Sequence, residues 1–163
     1  RKDLEFEPTV VADVKNVINT TRCTVIGQGS VTVSTVEHLM SALKVANVDH
    51  LLIELDGPEV HILDGSSLAW SQKIEGNILE LESEIPQYAL NQPLYYTKGA
   101  ASLVALPFDG FKISYTLHYP NHPILENQFF CLALNKQTSF DSWYHKLFYK
   151  TDPVQTSCSF LFC

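Results

Sequence analysis

Apolar positions follow two rhythms along the chain. From Pro8 to Ser34 they come in short runs, Val10–Val14, Arg22–Ile26 and Val31–Ser34, with the length and β-branched content of strands. Gly27-Gln28-Gly29 separates the last two and supplies residues that tolerate positive φ, which predicts a hairpin. The rhythm then changes. Val36, Leu39, Met40 and Leu43 recur at i, i+3, i+4 and i+7, and Ser34 stands three residues before Glu37 as in a capping box, so a helix is expected from about Thr35 to Val45.

Leu51–Leu55 reads as a buried strand that turns at Asp56-Gly57-Pro58-Glu59 into the short apolar piece Val60–Leu63. Asp64-Gly65-Ser66-Ser67 breaks that piece, and Ser66 or Ser67 can cap a second helix through Leu68, Trp70 and Ile74. The order strands, helix, strands, helix predicts an α+β fold, a two-layer sandwich of a small mixed sheet with helices on one face. On this reading residues 1–75 form a first domain, and the polar stretch 76–92 is a linker. Strands resume after it: Ala101–Leu106 and Phe111–His118, separated by Pro107-Phe108-Asp109-Gly110, are expected to form a hairpin, with Phe129–Leu134 as a third strand. These belong to a second unit spanning 93–135. Residues 136–163 show neither period and stay unassigned as a tail.

Composition narrows the classes. Apolar residues make up 45% and charged residues 18% of the 163, a globular balance. The net charge of -7, with eleven scattered Lys and Arg, argues against nucleic acid, whose phosphates require clustered cations. No apolar run approaches the ~20 residues of a spanning helix, and Arg1-Lys2-Asp3-Leu4-Glu5 is not a signal peptide, so a cytoplasmic protein is expected. The four cysteines form no C-x-x-C pair and are read as reduced thiols.

Chemistry concentrates at Glu37-His38. With Val36 as origin and ~100° per residue, both fall outside the apolar stripe of their helix. Glu37 could be only the partner of Ser34 in the capping box, and His38 only an exposed helix residue. Alternatively His38 ligates a metal while Glu37, beside the positive end of the helix dipole, takes the proton of a metal-bound water. His-Glu-x-x-His is absent, and no other histidine lies within ten residues of His38.

The strings around the pair carry a resemblance. Asn19-Thr20-Thr21-Arg22-Cys23-Thr24, Thr35-Val36-Glu37-His38-Leu39-Met40-Ser41-Ala42-Leu43 and the run from Ile53 to Ser66, with Asp56-Gly57-Pro58-Glu59 and Asp64-Gly65-Ser66, resemble UDP-3-O-acyl-N-acetylglucosamine deacetylase, a zinc enzyme of lipid A biosynthesis in bacteria. Lys112–Thr116 and His122-Pro123 look like the opening of that family's second domain. The resemblance implies two similar α+β domains with Zn2+ in the cleft between them, Glu37 as general base, His38 as one zinc ligand and Thr21, Arg22 and Cys23 as a substrate-binding segment. It further implies Asp64 as a support behind the site and UDP-3-O-acyl-N-acetylglucosamine as substrate.

The departures from the family matter as much. Its remaining ligands come from a His-Lys-x-x-x-Asp run, whereas His145-Lys146 is followed by Leu147, Phe148, Tyr149 and Lys150, so that pair is rejected as a metal site. His61 stands where the family usually has Pro. The family's N-terminal segment and most of its second domain are missing, so the chain is expected to be a fragment with an incomplete ligand set and no deacetylase activity of its own. A separate complementing chain that rebuilds the site in trans is a further alternative. The competing expectation is a non-catalytic binding or interaction protein derived from the deacetylase, using an uncovered interdomain surface.

Overall fold

The computed structural model describes residues 1–82, 85–86, 88–118 and 127–134. The chain divides into two compact units, one containing Arg1–Leu79 and the other beginning at Glu80.

In the first unit, β1 (Val17–Asn19), β2 (Val25–Gln28) and β3 (Val31–Ser34) form an antiparallel sheet in the order β1-β2-β3. The β2–β3 register pairs Gln28 with Val31, which leaves Gly29 and Ser30 as a two-residue turn, and Gly29 takes φ 63° there. Gly27 belongs to the strand rather than the turn. A Cβ on it would stand 2.7 Å from Ile18 Cδ1, so its missing side chain is what lets Ile18 of β1 lie close across β2.

Three strand boundaries differ from expectation. Val10–Val14 forms no strand; a single 3-10 turn, Val14–Asn16, follows it, capped by the Asp13 carboxylate on the Lys15 N–H. The strand expected at Arg22–Ile26 begins only at Val25, because Arg22 adopts φ 65° and bends the chain. Leu51–Leu55 joins no ladder. The parallel component of the expected mixed sheet is reduced, among the described residues, to a bridge between Ser34 and Glu59.

The helices are α1 (Glu37–Val45) and α2 (Leu68–Ile74), packed against each other. The apolar stripe behaves as its period requires. Leu39 and Leu43, with Val36 just before the helix, are buried together with Ile26 and Val33 of the sheet and Val60, while Met40, Trp70 and Ile74 close the rim. Burying each large aliphatic chain contributes about 1.5–3 kcal/mol. α1 stops where Asn47 turns left-handed at φ 52°: its N–H donates to Lys44 O and the Val48 N–H to Leu43 O, so two terminal carbonyls are satisfied. At α2 the Ser66 hydroxyl, not that of Ser67, accepts the Leu68 N–H at 3.2 Å. The α+β class thus holds, with two α-helices and small antiparallel sheets among the described residues.

In the second unit, β4 (Leu94–Lys98) pairs with β5 (Ala101–Ala105), and β6 (Phe111–His118) with β7 (Asn127–Leu134). The expected pairing of 101–106 with 111–118 does not occur. Gly99, at φ 59°, closes a tighter turn directly before β5, and that shorter connection takes β4 as the partner. His122-Pro123, His145-Lys146 and the tail from 136 lie outside the described residues.

Candidate active site

Glu37 is the first residue of α1, yet it is buried, with 6% of its surface exposed. The capping box does not form. Ser34 remains in β3, where its N–H donates to Pro58 O at 2.9 Å and its carbonyl accepts the Val60 N–H at 3.0 Å. The Glu37 carboxylate turns instead to β2's approach: Oε2 accepts the backbone N–H of Thr24 at 3.0 Å. Among the described residues its second oxygen takes no further hydrogen bond. A buried carboxylate held on one oxygen by a fixed amide can accept a proton on the other.

The chain reaches this geometry through an unusual residue. Thr35, between β3 and α1, has φ 60°, and a β-branched residue held left-handed costs about 1–3 kcal/mol. The Val36 N–H reaches Thr24 O at 3.4 Å, so both backbone groups of Thr24 face the foot of α1.

His38 is half-buried beside Glu37. Burial pushes its pKa down, against the opposing pull of the Glu37 and Asp64 carboxylates. The balance favours neutral imidazole, the form that donates a lone pair to a metal. Asp64 is exposed, and its pKa is lowered first by the Ser66 backbone N–H, with the Ser66 hydroxyl and the field of His38 adding to it. Its Oδ1 accepts the Ser66 N–H at 3.0 Å and the Ser66 hydroxyl at 2.9 Å, so Asp64 builds the turn into α2 while its charge acts on His38.

Thr21 and Arg22 are exposed and Cys23 is half-buried; all three lie in the bend ahead of β2, where the Thr21 N–H donates to Asn19 Oδ1 at 2.9 Å. One peptide separates Cys23 from Thr24. Chain connectivity therefore brings this segment to Glu37, and the Asp64 carboxylate lies close enough to His38 for each to act on the other's protonation. His61 is exposed, and its carbonyl accepts the Trp70 indole N–H at 3.2 Å, a backbone role that does not depend on the imidazole. Sequence reasoning missed Thr24 as the anchor of Glu37 and missed the buried Thr35, whose hydroxyl donates to Glu59 Oε1 at 2.6 Å. Thr24 sat inside a recognised string; nothing local signals the Thr35–Glu59 contact.

Catalytic zinc takes about three protein donors. Among the described residues no group of three or more His, Cys, Asp or Glu side chains is arranged to hold a metal ion. His38, with Glu37 and Asp64 near it, does not by itself make a zinc site. No helix among the described residues is long and apolar enough to cross a membrane.

Two helices on a small antiparallel sheet thus bring a buried carboxylate and a half-buried imidazole side by side at the start of the first helix. Residues 1–145 match the family model of UDP-3-O-acyl N-acetylglycosamine deacetylase, and the chain belongs to that family. The UDP-3-O-acyl-N-acetylglucosamine deacetylase of Chlamydia pneumoniae is 39% identical over 79% of this chain and 46% of its own length. That of Chlamydia caviae is 37% identical over 85% and 49%, and that of Bdellovibrio bacteriovorus 32% identical over 85% and 46%. The chain spans just under half the length of these curated relatives.

Proposed function

We propose that the chain contributes the base-and-histidine half of a zinc-dependent deacetylase acting on UDP-3-O-acyl-N-acetylglucosamine in bacterial, cytoplasmic lipid A biosynthesis. The observation that carries this reading is the Glu37 carboxylate, buried and held by the Thr24 amide beside the half-buried His38, in a chain that matches the family over residues 1–145. In this reading residues 1–75 are the enzyme's first domain, 76–92 a connection and 93–135 the opening strands of its second. His38 would be one donor to the zinc, which would supply polarisation of the amide carbonyl.

The chain's own residues handle protons and position. The attacking water bonds to the acetamide carbonyl carbon and its proton passes to the open oxygen of Glu37. The C–N bond then breaks, the nitrogen takes up the proton that Glu37 received from the water, and acetate and the free amine are the products. Asp64 steadies His38 through its charge, and Thr21-Arg22-Cys23 flanks the substrate next to Thr24.

Because the described residues place one imidazole, that of His38, beside Glu37, turnover is expected to require further metal donors from outside these residues. The test is acetate release from UDP-3-O-acyl-N-acetylglucosamine with zinc present, using this chain alone and co-expressed with the C-terminal half of the Chlamydia pneumoniae relative. Turnover is expected only in the mixture, and Glu37→Gln should lower it by about 10²–10⁴-fold. Undiminished turnover with Glu37→Gln would remove the proposed base.

A further inference from the structure

Glu37 has two backbone donors it could bind, and the sequence spacing favours the one it does not use. A capping box would send its carboxylate back to the Ser34 N–H, three residues away. That N–H is already taken by Pro58 O at 2.9 Å, and the Val60 N–H closes the other side of the bridge on Ser34 O at 3.0 Å. The same segment reaches one residue further. Glu59, between Pro58 and Val60, accepts the buried Thr35 hydroxyl on Oε1 at 2.6 Å.

Thr35 is the residue whose left-handed φ of 60° starts the chain into α1. A β-branched residue keeps that conformation only where its surroundings fix it. Here the 58–60 segment fixes it twice, through the Ser34 backbone and through the Thr35 side chain. With the capping-box donor occupied and the turn locked, the carboxylate meets the Thr24 amide on the neighbouring strand's approach.

We propose that Thr35 and Glu59 are a positioning pair, whose hydrogen bond holds the turn at the foot of α1 so that Glu37 is delivered to the Thr24 amide with one oxygen left for the attacking water. The catalytic consequence rests on the reading of Glu37 as general base; the positioning itself does not. Neither Thr35 nor Glu59 touches substrate in this scheme.

The experiment reads the Thr24 amide by NMR in the full chain. Glu37→Ala sets the signature of a lost acceptor, an upfield proton shift and faster hydrogen exchange at Thr24. Thr35→Val and Glu59→Ala should each produce that shift and accelerate Thr24 exchange by about tenfold, the value of a hydrogen bond to a charged group, while the β2–β3 ladder amides exchange as in the parent. Thr35→Ser, which keeps the hydroxyl, should restore the parent behaviour. If Thr35→Val fails to fold, Glu59→Ala at its exposed position decides.

A parent-like Thr24 amide in Glu59→Ala overturns the pair, as does a Thr35→Ser chain that behaves like Thr35→Val. If Thr24 responds as expected but the complemented enzyme keeps its turnover with Glu37→Gln, the base reading fails and the positioning stands.

Discussion

The β2–β3 hairpin of the first unit and the β4–β5 hairpin of the second are both short antiparallel pairs closed by two-residue turns with a left-handed glycine. Their apolar side chains fare differently. Ile26 and Val33 are exposed by 6% and 8% and share a buried cluster with Leu39 and Leu43 of α1, whereas Tyr95 and Leu103 are exposed by 73% and 60%. Pairing is a local matter of turn and register; burial needs a second layer. Stability in the described residues should therefore concentrate where α1 covers the sheet.

Leu39→Ala should break the first unit most severely, by about 2–5 kcal/mol, since it opens a cavity in the buried cluster that α1 shares with the sheet. Urea unfolding monitored by the near-ultraviolet signal would measure it. Glu37→Ala is expected to cost less, about 1–3 kcal/mol, by leaving the buried Thr24 N–H without its acceptor. Leu103→Ala in β5 should change the unfolding free energy by no more than about 0.5 kcal/mol, as for an exposed position. A cost at Leu103 equal to that at Leu39 would show that β5 has cover of its own and would erase the contrast.

What was legible in the sequence followed the same division. The stripe Val36, Leu39, Met40, Leu43 located α1 because a periodic apolar face has one way to be buried, and the β2–β3 hairpin followed from its glycines. The beginning of the helix was misread. Ser34 and Glu37 have the spacing of a capping box, but Pro58 and Val60, more than twenty residues away, claim the Ser34 backbone. Glu37 was expected off the apolar stripe as one flank of the helix, yet it is buried, because its carboxylate turns to the Thr24 N–H just ahead of β2. Two turns compete for β5, the one at Pro107–Gly110 that the alternation of 111–118 favours and the shorter one at Gly99, and the shorter one prevails. Strings such as Thr35–Leu43 indicated the family long before any geometry, and the geometry then supplied the anchor, Thr24, that strings do not reveal.

The central proposal is that His38 of the first unit serves as a metal donor. Zinc added to the protein while the histidine ring resonances are followed by NMR tests it directly. The half-buried His38, pushed toward the neutral form with Asp64 and Glu37 in its field, should respond at lower zinc concentration than the exposed His50 and His61. A His38 signal that stays still while those two shift would contradict the account.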